Sequence, residues 1–389
     1  MTAATEKRLK RQVIGKRHAF FAVTAPGVED LAAAEIAALG LEGRPVTGGV
    51  EFAGRLHDAY LANLQLRTAG RVLMRIAAFT TTRFSELEKE AAAVPWELYL
   101  KPGTLGRVRV AVHHCRLHHT DGIAERVAAG VTRRLAAAPA AESGPVASQQ
   151  LFVRGADDRF TVSLDSSGER LHLRGVKTHG GRAPLRETLA AAALMRAGYS
   201  GDEPLVDPMC GTGTLALEAA LMARRIPPGW FREFAFGGWP AFRPQRWTHL
   251  RRTAAEGMRV LPQPLIFASD IDPEACSALE GCLPAAGLTD AVRVRQADFF
   301  ALEPGELPLS APGLVVLNPP YGRRLGTPSE SRDLMGAVTA RLRERFAGWR
   351  FVLVAPAAAQ PAGLPAGTAV HPVFHGGLNV NFWIGRIGL

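Results

Sequence analysis

The chain has 389 residues, of which 47% are hydrophobic and 21% are charged, a composition typical of globular proteins with substantial cores. This length predicts two or three domains. The sequence argues against a membrane protein and a secreted one, because it contains no apolar run of spanning length and its first 17 residues are basic and polar. Its four cysteines form no CxxC pair, which favours a reducing, cytoplasmic setting.

The formal net charge of +10 indicates a polyanionic partner. Basic surface gains affinity for nucleic acids because binding releases counterions from the phosphates. Segment 1–17 is expected to be a basic flexible tail, with an arm that touches nucleic acid as the alternative.

Short apolar strands alternate with amphipathic helices from residue 18 onwards. They predict two small α+β units, over 18–75 and 76–165, and arginines stand between the apolar residues of the second unit. The predicted elements are strand 19–23, helix 28–39, strand 46–52, helix 57–66, strand 72–79, helix 84–100, strand 108–112, helix 121–135, strand 151–154 and strand 160–164.

The pattern changes near residue 166, where longer apolar runs alternate with helices. This alternation is typical of a doubly wound parallel sheet, so we predict an α/β Rossmann-like domain over 166–389. The candidate core strands are 205–206, 266–268, 292–294, 314–317 and 351–354.

A glycine-rich turn follows the first of these strands. It reads Asp207-Pro208-Met209-Cys210-Gly211-Thr212-Gly213-Thr214, and its glycines let the backbone approach a ligand closely. The third glycine of a dinucleotide fingerprint is missing and an acidic residue precedes the turn, which favours a ligand with a cationic amino-acid end over a pyrophosphate. An ordinary glycine-rich turn is the alternative. The predicted ligand-binding residues are Asp207, Pro208, Cys210, Gly211, Thr212 and Gly213.

Acidic residues follow the next two strands. Asp270, with Ile271 beside it, is placed to accept hydrogen bonds from ribose hydroxyls, whereas Asp272 precedes Pro273 and is predicted to cap a helix. Asp298 is placed to accept from an adenine amino group with Phe299 beside the ring, although a surface turn is nearly as consistent with this pattern.

The fourth strand ends in Asn318-Pro319-Pro320-Tyr321. The prolines stiffen the turn, while the Asn318 amide oxygen and the Pro319 carbonyl offer two acceptors for a planar NH₂ group. Tyr321 can stack on an unpaired or flipped base. Preceded by the donor-pocket motifs, this string predicts an S-adenosylmethionine-dependent methyltransferase that works mainly by positioning. A rigid proline turn is the structural alternative.

A histidine-rich stretch offers a second set of candidate ligands, His113, His114, Cys115, His118 and His119. Its spacing matches no standard zinc pattern. We therefore predict a polar surface and no metal.

Several strings resemble the THUMP-domain RNA guanine-N2 methyltransferases, a family with 23S rRNA and tRNA enzymes. The resemblance covers nearly the whole chain and depends on segments 20–39, 48–66, 67–100, 171–175, 183–190 and 207–214. One departure is visible at His375-Gly376-Gly377, where relatives often carry Asn-Gly.

The resemblance implies a ferredoxin-like domain over 18–75, a THUMP RNA-binding domain over 76–165 and a donor-binding domain over 166–389. It makes segment 318–321 the catalytic loop and Asp270 the ribose contact. The expected substrate is a guanine amino group in 23S rRNA, with structured tRNA as the nearest alternative. A glutamine amide of a protein, adenine in DNA and a non-enzymatic RNA-binding role also remain open.

Overall fold

The computed structural model describes residues 3–137, 148–177, 185–309, 311–320, 328–375 and 377–388. It divides into two compact units, each assembled from separate stretches of the chain. Unit 1 comprises Met1–Thr24, Ala33–Leu171 and Arg232–Arg252, and unit 2 comprises Ala25–Ala32, His172–Phe231 and Thr253–Leu389. The domain bounds inferred from the sequence stay predictions.

Unit 1 contains one seven-stranded sheet in the order β2-β3-β1-β4-β7-β6-β5. Its strands are β1 (His18–Val23), β2 (Gly43–Val46), β3 (Gly49–Gly54), β4 (Arg71–Thr80), β5 (Leu105–His113), β6 (Gln149–Ala156) and β7 (Arg159–Asp165). Strand β4 pairs with β1 on one side and with β7 on the other. The two predicted α+β units therefore share a single sheet.

The described part of the chain before residue 138 contains five α-helices. They are α1 (Ala3–Leu9), α2 (Glu29–Ala38), α3 (Leu56–Gln65), α4 (Phe84–Ala93) and α5 (Thr120–Ala136).

The flexible tail predicted for segment 1–17 is wrong, because α1 continues into a π-helical turn over Lys10–Ile14. Leu9 and Val13, four residues apart, are buried. Arg8 also forms an ion pair with Glu97 at 3.0 Å. The two buried side chains and the ion pair together fix this basic segment on unit 1.

Two further elements differ from the sequence-based expectation. The single strand predicted over 46–52 is a hairpin, since Gly48 turns between β2 and β3 with a φ of +81°. The helix predicted over 84–100 ends at Ala93, and a 3₁₀ turn over Trp96–Leu98 follows. Pro95 explains this break, because proline disfavours helical geometry in the residue before it.

Unit 2 contains a second seven-stranded sheet in the order β10-β9-β8-β11-β12-β14-β13. Its strands are β8 (Leu205–Asp207), β9 (Ile266–Asp270), β10 (Val292–Gln296), β11 (Leu314–Leu317), β12 (Arg350–Pro356), β13 (Ala369–His375) and β14 (Leu378–Arg386). The first five in this order run parallel, and β14 is antiparallel to β12 and β13. The predicted Rossmann-like, mostly parallel α/β class is confirmed.

The helices after residue 185 are α6 (Glu187–Arg196), α7 (Thr214–Ala223), α8 (Pro244–Glu256), α9 (Pro273–Cys282) and α10 (Pro328–Arg345). Strand β11 is buried on both faces, as its unbroken apolar run predicts. Leu314 and Val316 join one core cluster, and Val315 and Leu317 join the other. None of the helices in the described ranges is long and apolar enough to cross a membrane.

Candidate active site

A cleft of about 960 Å³ lies in unit 2, where β8, β9 and β11 end. Parallel strands deliver their carboxyl ends to the same edge, and ligands of such sheets bind where the strand order reverses. Here that point lies between β8 and β11. The predicted site residues that line the cleft are Pro208, Cys210, Gly211, Thr212, Asp270, Ile271, Asp298, Phe299, Asn318 and Pro320.

The glycine-rich turn joins β8 to α7 through two left-handed residues. Gly211 has a φ of +52° and Gly213 a φ of +78°, conformations that favour glycine. A Cβ on Gly213 would lie 2.3 Å from the Leu279 side chain, whereas one on Gly211 would meet nothing within 4 Å. Gly213 therefore permits packing on α9, and Gly211 leaves open space at the cleft.

The Asp270 carboxylate ties the turn to the end of β9. It accepts hydrogen bonds from the backbone N–H of Gly211 at 2.8 Å and of Asp272 at 3.0 Å. Asp272 in turn accepts from the Glu274 N–H at 2.9 Å, so its predicted role as the cap of α9 is confirmed. Contact between Asp270 and a ribose stays a prediction.

Asp207 lies beneath the turn and does not line the cleft. The side chain is 1% exposed, and its Oδ2 accepts from the Ala216 N–H at 3.2 Å. Its buried Oδ1 has no hydrogen-bond partner among the described residues. Burial, with a smaller contribution from the charge of Asp270, raises the pKa of Asp207 to about 8.

Cys210 is the only thiol on the cleft wall within the described residues. Burial and the neighbouring charge of Asp207 raise the pKa of this thiol. A thiol that stays protonated is a poor nucleophile, so these surroundings do not activate Cys210.

The phenylalanine that is exposed in the cleft is not the one that the sequence predicted. Phe299 reaches the cleft but is only 2% exposed, and its ring stacks on Phe346 at 6.1 Å in the core. Phe300, for which the sequence predicted no role, lines the cleft with 38% of its surface exposed. Asp298 caps the 3₁₀ turn that carries both rings, accepting from the Phe300 N–H at 3.0 Å.

Ile271 supplies a second exposed apolar surface in the cleft, because 68% of its surface is accessible. This exposed apolar surface is available to a ligand in the cleft.

Asn318 follows β11 directly and faces the cleft. Its Oδ1 is buried and has no hydrogen-bond partner among the described residues. An unsatisfied buried acceptor costs about 1–3 kcal/mol, so this oxygen needs a donor that the described chain does not supply. Pro319 is buried behind it, Pro320 lines the cleft, and Tyr321 lies outside the described residues.

Charged side chains for which the sequence predicted no function lie beneath the turn. Arg174 and Glu218 form a buried pair at 2.8 Å, and Lys177 donates to the Thr214 hydroxyl while its Nζ lies 3.6 Å from Glu187. Burial lowers the pKa of Lys177. The only signal in the sequence is that Arg174 and Glu187 lie within segments 171–175 and 183–190, which resemble the family but predict no role for these two residues.

The histidine-rich stretch lies at the end of β5 and in the following loop. His113 and His114 have ring centroids 3.8 Å apart, and those of His118 and His119 are 4.5 Å apart. In the part of the chain that the structure describes, no three histidine, cysteine or acidic side chains are grouped to hold a metal ion. Residues 183–184 and 376, which belong to motifs predicted from the sequence, lie outside the described residues.

Two family models match the chain. The model described as "RMKL-like, methyltransferase domain" covers residues 174–362, and the "RlmL ferredoxin-like domain" covers residues 19–73. The first match contains every predicted donor-site and catalytic residue.

Curated relatives extend the match. The "Ribosomal RNA large subunit methyltransferase K/L" of Allochromatium vinosum is 35% identical over 92% of this chain and 50% of its own length. A Synechocystis sp. protein named "Putative RNA methyltransferase slr0064" is 33% identical over 85% of this chain and 86% of its own. The chain thus spans about half the length of the K/L relatives and most of the Synechocystis one.

Solved structures agree with the fold. "SMU.472, a putative methyltransferase complexed with SAH" superposes with a TM-score of 0.85 and 27% identity over 96% of this chain and 99% of that one. A "predicted N6-adenine-specific DNA methylase" from Listeria monocytogenes also gives a TM-score of 0.85, with 28% identity over 96% and 97% of the two chains.

Proposed function

The chain belongs to the family of RMKL-like methyltransferases, and on that premise we propose that it methylates the exocyclic N2 amino group of a guanine in large-subunit ribosomal RNA. The observation that carries the proposal is the buried Oδ1 of Asn318, which lines a cleft beside a glycine-rich turn and has no hydrogen-bond partner among the described residues. The methyl donor is S-adenosylmethionine, which supplies an electrophilic methyl group on a sulfonium sulfur.

The cleft fits this donor. The open approach at Gly211 and Thr212 accommodates the amino-acid end, and the Asp270 carboxylate, which already orders Gly211, accepts from the ribose hydroxyls. Ile271 and Phe300 offer exposed apolar surface to the adenine ring. We therefore place Phe300 rather than Phe299 as the principal aromatic contact, with Asp298 beside it as acceptor for the adenine amino group.

Asn318 and the segment after it position the acceptor. The Asn318 oxygen and the Pro319 carbonyl can each accept one N–H of an aryl amino group, and two such bonds fix the direction of the nitrogen lone pair. Positioning of this kind supplies much of the rate enhancement in reactions that need no acid or base. The nitrogen would bond to the methyl carbon as the carbon–sulfur bond of the donor breaks and S-adenosylhomocysteine leaves. The extra proton on the nitrogen would then pass to water, so no buried base is required.

Unit 1 supplies the affinity for RNA in this proposal. Arg107, Arg154 and Arg159, on β5, β6 and β7, are all exposed, and arginines bind phosphates without regard to sequence. We propose that residues 76–165 form a THUMP RNA-binding domain, as the family resemblance implies. The names of the K/L relatives support ribosomal RNA over transfer RNA, and such a substrate would place the enzyme in the cytoplasm.

A modified-nucleoside comparison tests the proposal. Ribosomal RNA, transfer RNA, DNA and total protein from a strain lacking the gene and from its parent are digested and analysed by mass spectrometry. Loss of N2-methylguanosine from 23S rRNA alone supports the proposal. Loss from transfer RNA alone, loss of N6-methyladenine from DNA, or no change in any nucleic acid with loss of a methylated glutamine would each replace it.

A further inference from the structure

A second cavity, of about 470 Å³, lies within unit 1. The first turns of α3 and α8 line it, together with Ile14 from the π-helical turn after α1. Its volume falls in the range of small-molecule sites. The proposed methyl transfer does not use this cavity.

Tyr60, which carries a buried hydroxyl group, lines this cavity. Tyr60 is only 1% exposed, and its ring stacks on Phe236 at 4.4 Å and meets Phe242 edge-on at 5.6 Å. Its Oη interacts with the Arg243 backbone, but it forms no hydrogen bond of normal geometry within the described residues. Because a buried hydroxyl that lacks a good hydrogen bond costs free energy, this group points to a ligand that supplies one.

The rim of the cavity is cationic. Arg55 and Arg246 are exposed and form no ion pair within the described ranges, while Arg243 pairs with Glu6 at 2.9 Å. The described lining includes two histidines and no acidic residue. The N-terminal end of α8, whose first turn carries no acidic residue, adds partial positive charge at the same place, so the rim favours a phosphate.

The walls, by contrast, are largely apolar. Ile14 and Leu56 line the interior, and the aliphatic parts of the arginine side chains can cover further ligand surface. A site for inorganic phosphate needs no such walls. A nucleotide fits all three features. Its planar base can contact the apolar walls and hydrogen-bond to the buried hydroxyl, and its phosphate can bind the cations at the rim.

We propose that this cavity of unit 1 binds a single unpaired nucleotide of the substrate RNA, with the base toward the Tyr60 hydroxyl and the phosphate on Arg55 and Arg246. The inference rests on the proposed function only in taking RNA as the source of the nucleotide. Recognition of an unpaired base by its edge and faces is the usual way in which proteins select single-stranded RNA.

Calorimetry on the full chain with nucleoside 5′-monophosphates, the parent nucleosides and inorganic phosphate tests the site. We expect at least one monophosphate to bind more tightly than its nucleoside or than inorganic phosphate. The Tyr60→Phe variant, which keeps the ring packing, should weaken that binding about 3- to 10-fold, as for one lost hydrogen bond. Arg246→Ala should weaken it as well, whereas Arg293→Ala, an equal charge change at an exposed site on β10, should not.

Equal binding of all three ligands, or unchanged affinity in both the Tyr60 and Arg246 variants, overturns the proposal. RNA binding separates this result from a failure of the proposed function. If the wild-type chain methylates ribosomal RNA and both variants keep full RNA affinity and rate, only the nucleotide site is wrong. If a monophosphate binds, both variants weaken its binding and no RNA is methylated, the nucleotide site is supported and the proposed substrate is wrong.

Discussion

Asn318 combines two properties that rarely coexist, a buried oxygen and the lack of a partner among the described residues. Replacing it with alanine removes the acceptor and leaves the cleft walls in place. We expect Asn318→Ala to lower kcat by at least about 100-fold, the usual effect of losing one preorganised polar contact. Donor affinity, measured by calorimetry, should change less than about 3-fold, because the donor motifs lie elsewhere in the cleft. Asn379→Ala, at an exposed position of β14, is the matched control.

Asp270 and Asp272 stand two residues apart, yet they differ in role. We expect Asp270→Ala to raise the dissociation constant of the donor about 10- to 100-fold, because hydrogen bonds to a charged acceptor contribute about 1.5–3 kcal/mol. Asp272→Ala should cost about 1 kcal/mol of stability through the lost cap of α9, with little effect on donor affinity. Equal donor affinities in the two variants would contradict the ribose assignment.

Asp207 makes the stability of the protein depend on pH. Its pKa is raised to about 8 in the folded chain from an ordinary value of 3.8, so between these values the folded state holds a proton that the unfolded state has lost. The contribution of this group to stability therefore decreases as pH rises from about 4 to about 8. We expect Asp207→Asn to be more stable than the wild-type chain by an amount that grows from pH 5 to pH 8.

Urea unfolding of both chains without donor measures this difference, and Asp157→Asn, at an exposed turn, serves as the control. A difference that stays constant from pH 5 to pH 8 would show that Asp207 is ionised in the folded chain.

Within single elements, the glycine-rich turn could be predicted as a ligand loop, but the different roles of its glycines could not. Both adopt positive φ, and only Gly213 lies against a buried side chain, that of Leu279. That contact depends on α9, which enters the chain about sixty residues later, so no local pattern encodes it. For the same reason, the sequence does not show that Phe299 faces the core and Phe300 the cleft, since the two phenylalanines are adjacent and identical.

The two glycines can be separated by alanine substitution. Gly213→Ala should cost about 2–4 kcal/mol, because a left-handed alanine is unfavourable and its Cβ would displace Leu279 from a packed core. Gly211→Ala should cost only about 1–2 kcal/mol, since the strain is similar but the space is open. Thermal unfolding without donor compares them, and equal losses would show that the contact with α9 is unimportant.

At the scale of the molecule, the alternation of strands and helices sufficed to predict the parallel sheet of unit 2. The sharing of β4 between two sets of strands in unit 1 was not predictable, because the β4–β7 pairing joins segments about ninety residues apart. The assembly of unit 1 from separate segments of the chain was not predictable either. Residues Arg232–Arg252 follow the donor motif in sequence but belong to the other unit.

This arrangement predicts that a fragment ending at Leu171 will not fold stably. In the intact chain, Phe236 stacks on Tyr60, and the side chain of the buried Gln149 donates to the Ala235 carbonyl at 3.1 Å and accepts from Trp239 at 2.9 Å. The fragment loses both hydrogen bonds and two large aromatic side chains, each contributing roughly 1.5–3 kcal/mol on burial. That sum approaches the whole stability of an ordinary domain, about 5–15 kcal/mol.

Circular dichroism and thermal unfolding of two fragments measure the effect. The first ends at Leu171, and the second carries Arg232–Arg252 in addition, attached through a short glycine–serine linker. Only the second should unfold cooperatively, because it restores the partners of Tyr60 and Gln149. Cooperative unfolding of the first at the same temperature would mean that the strands of unit 1 are self-sufficient and that the returning segment serves binding alone.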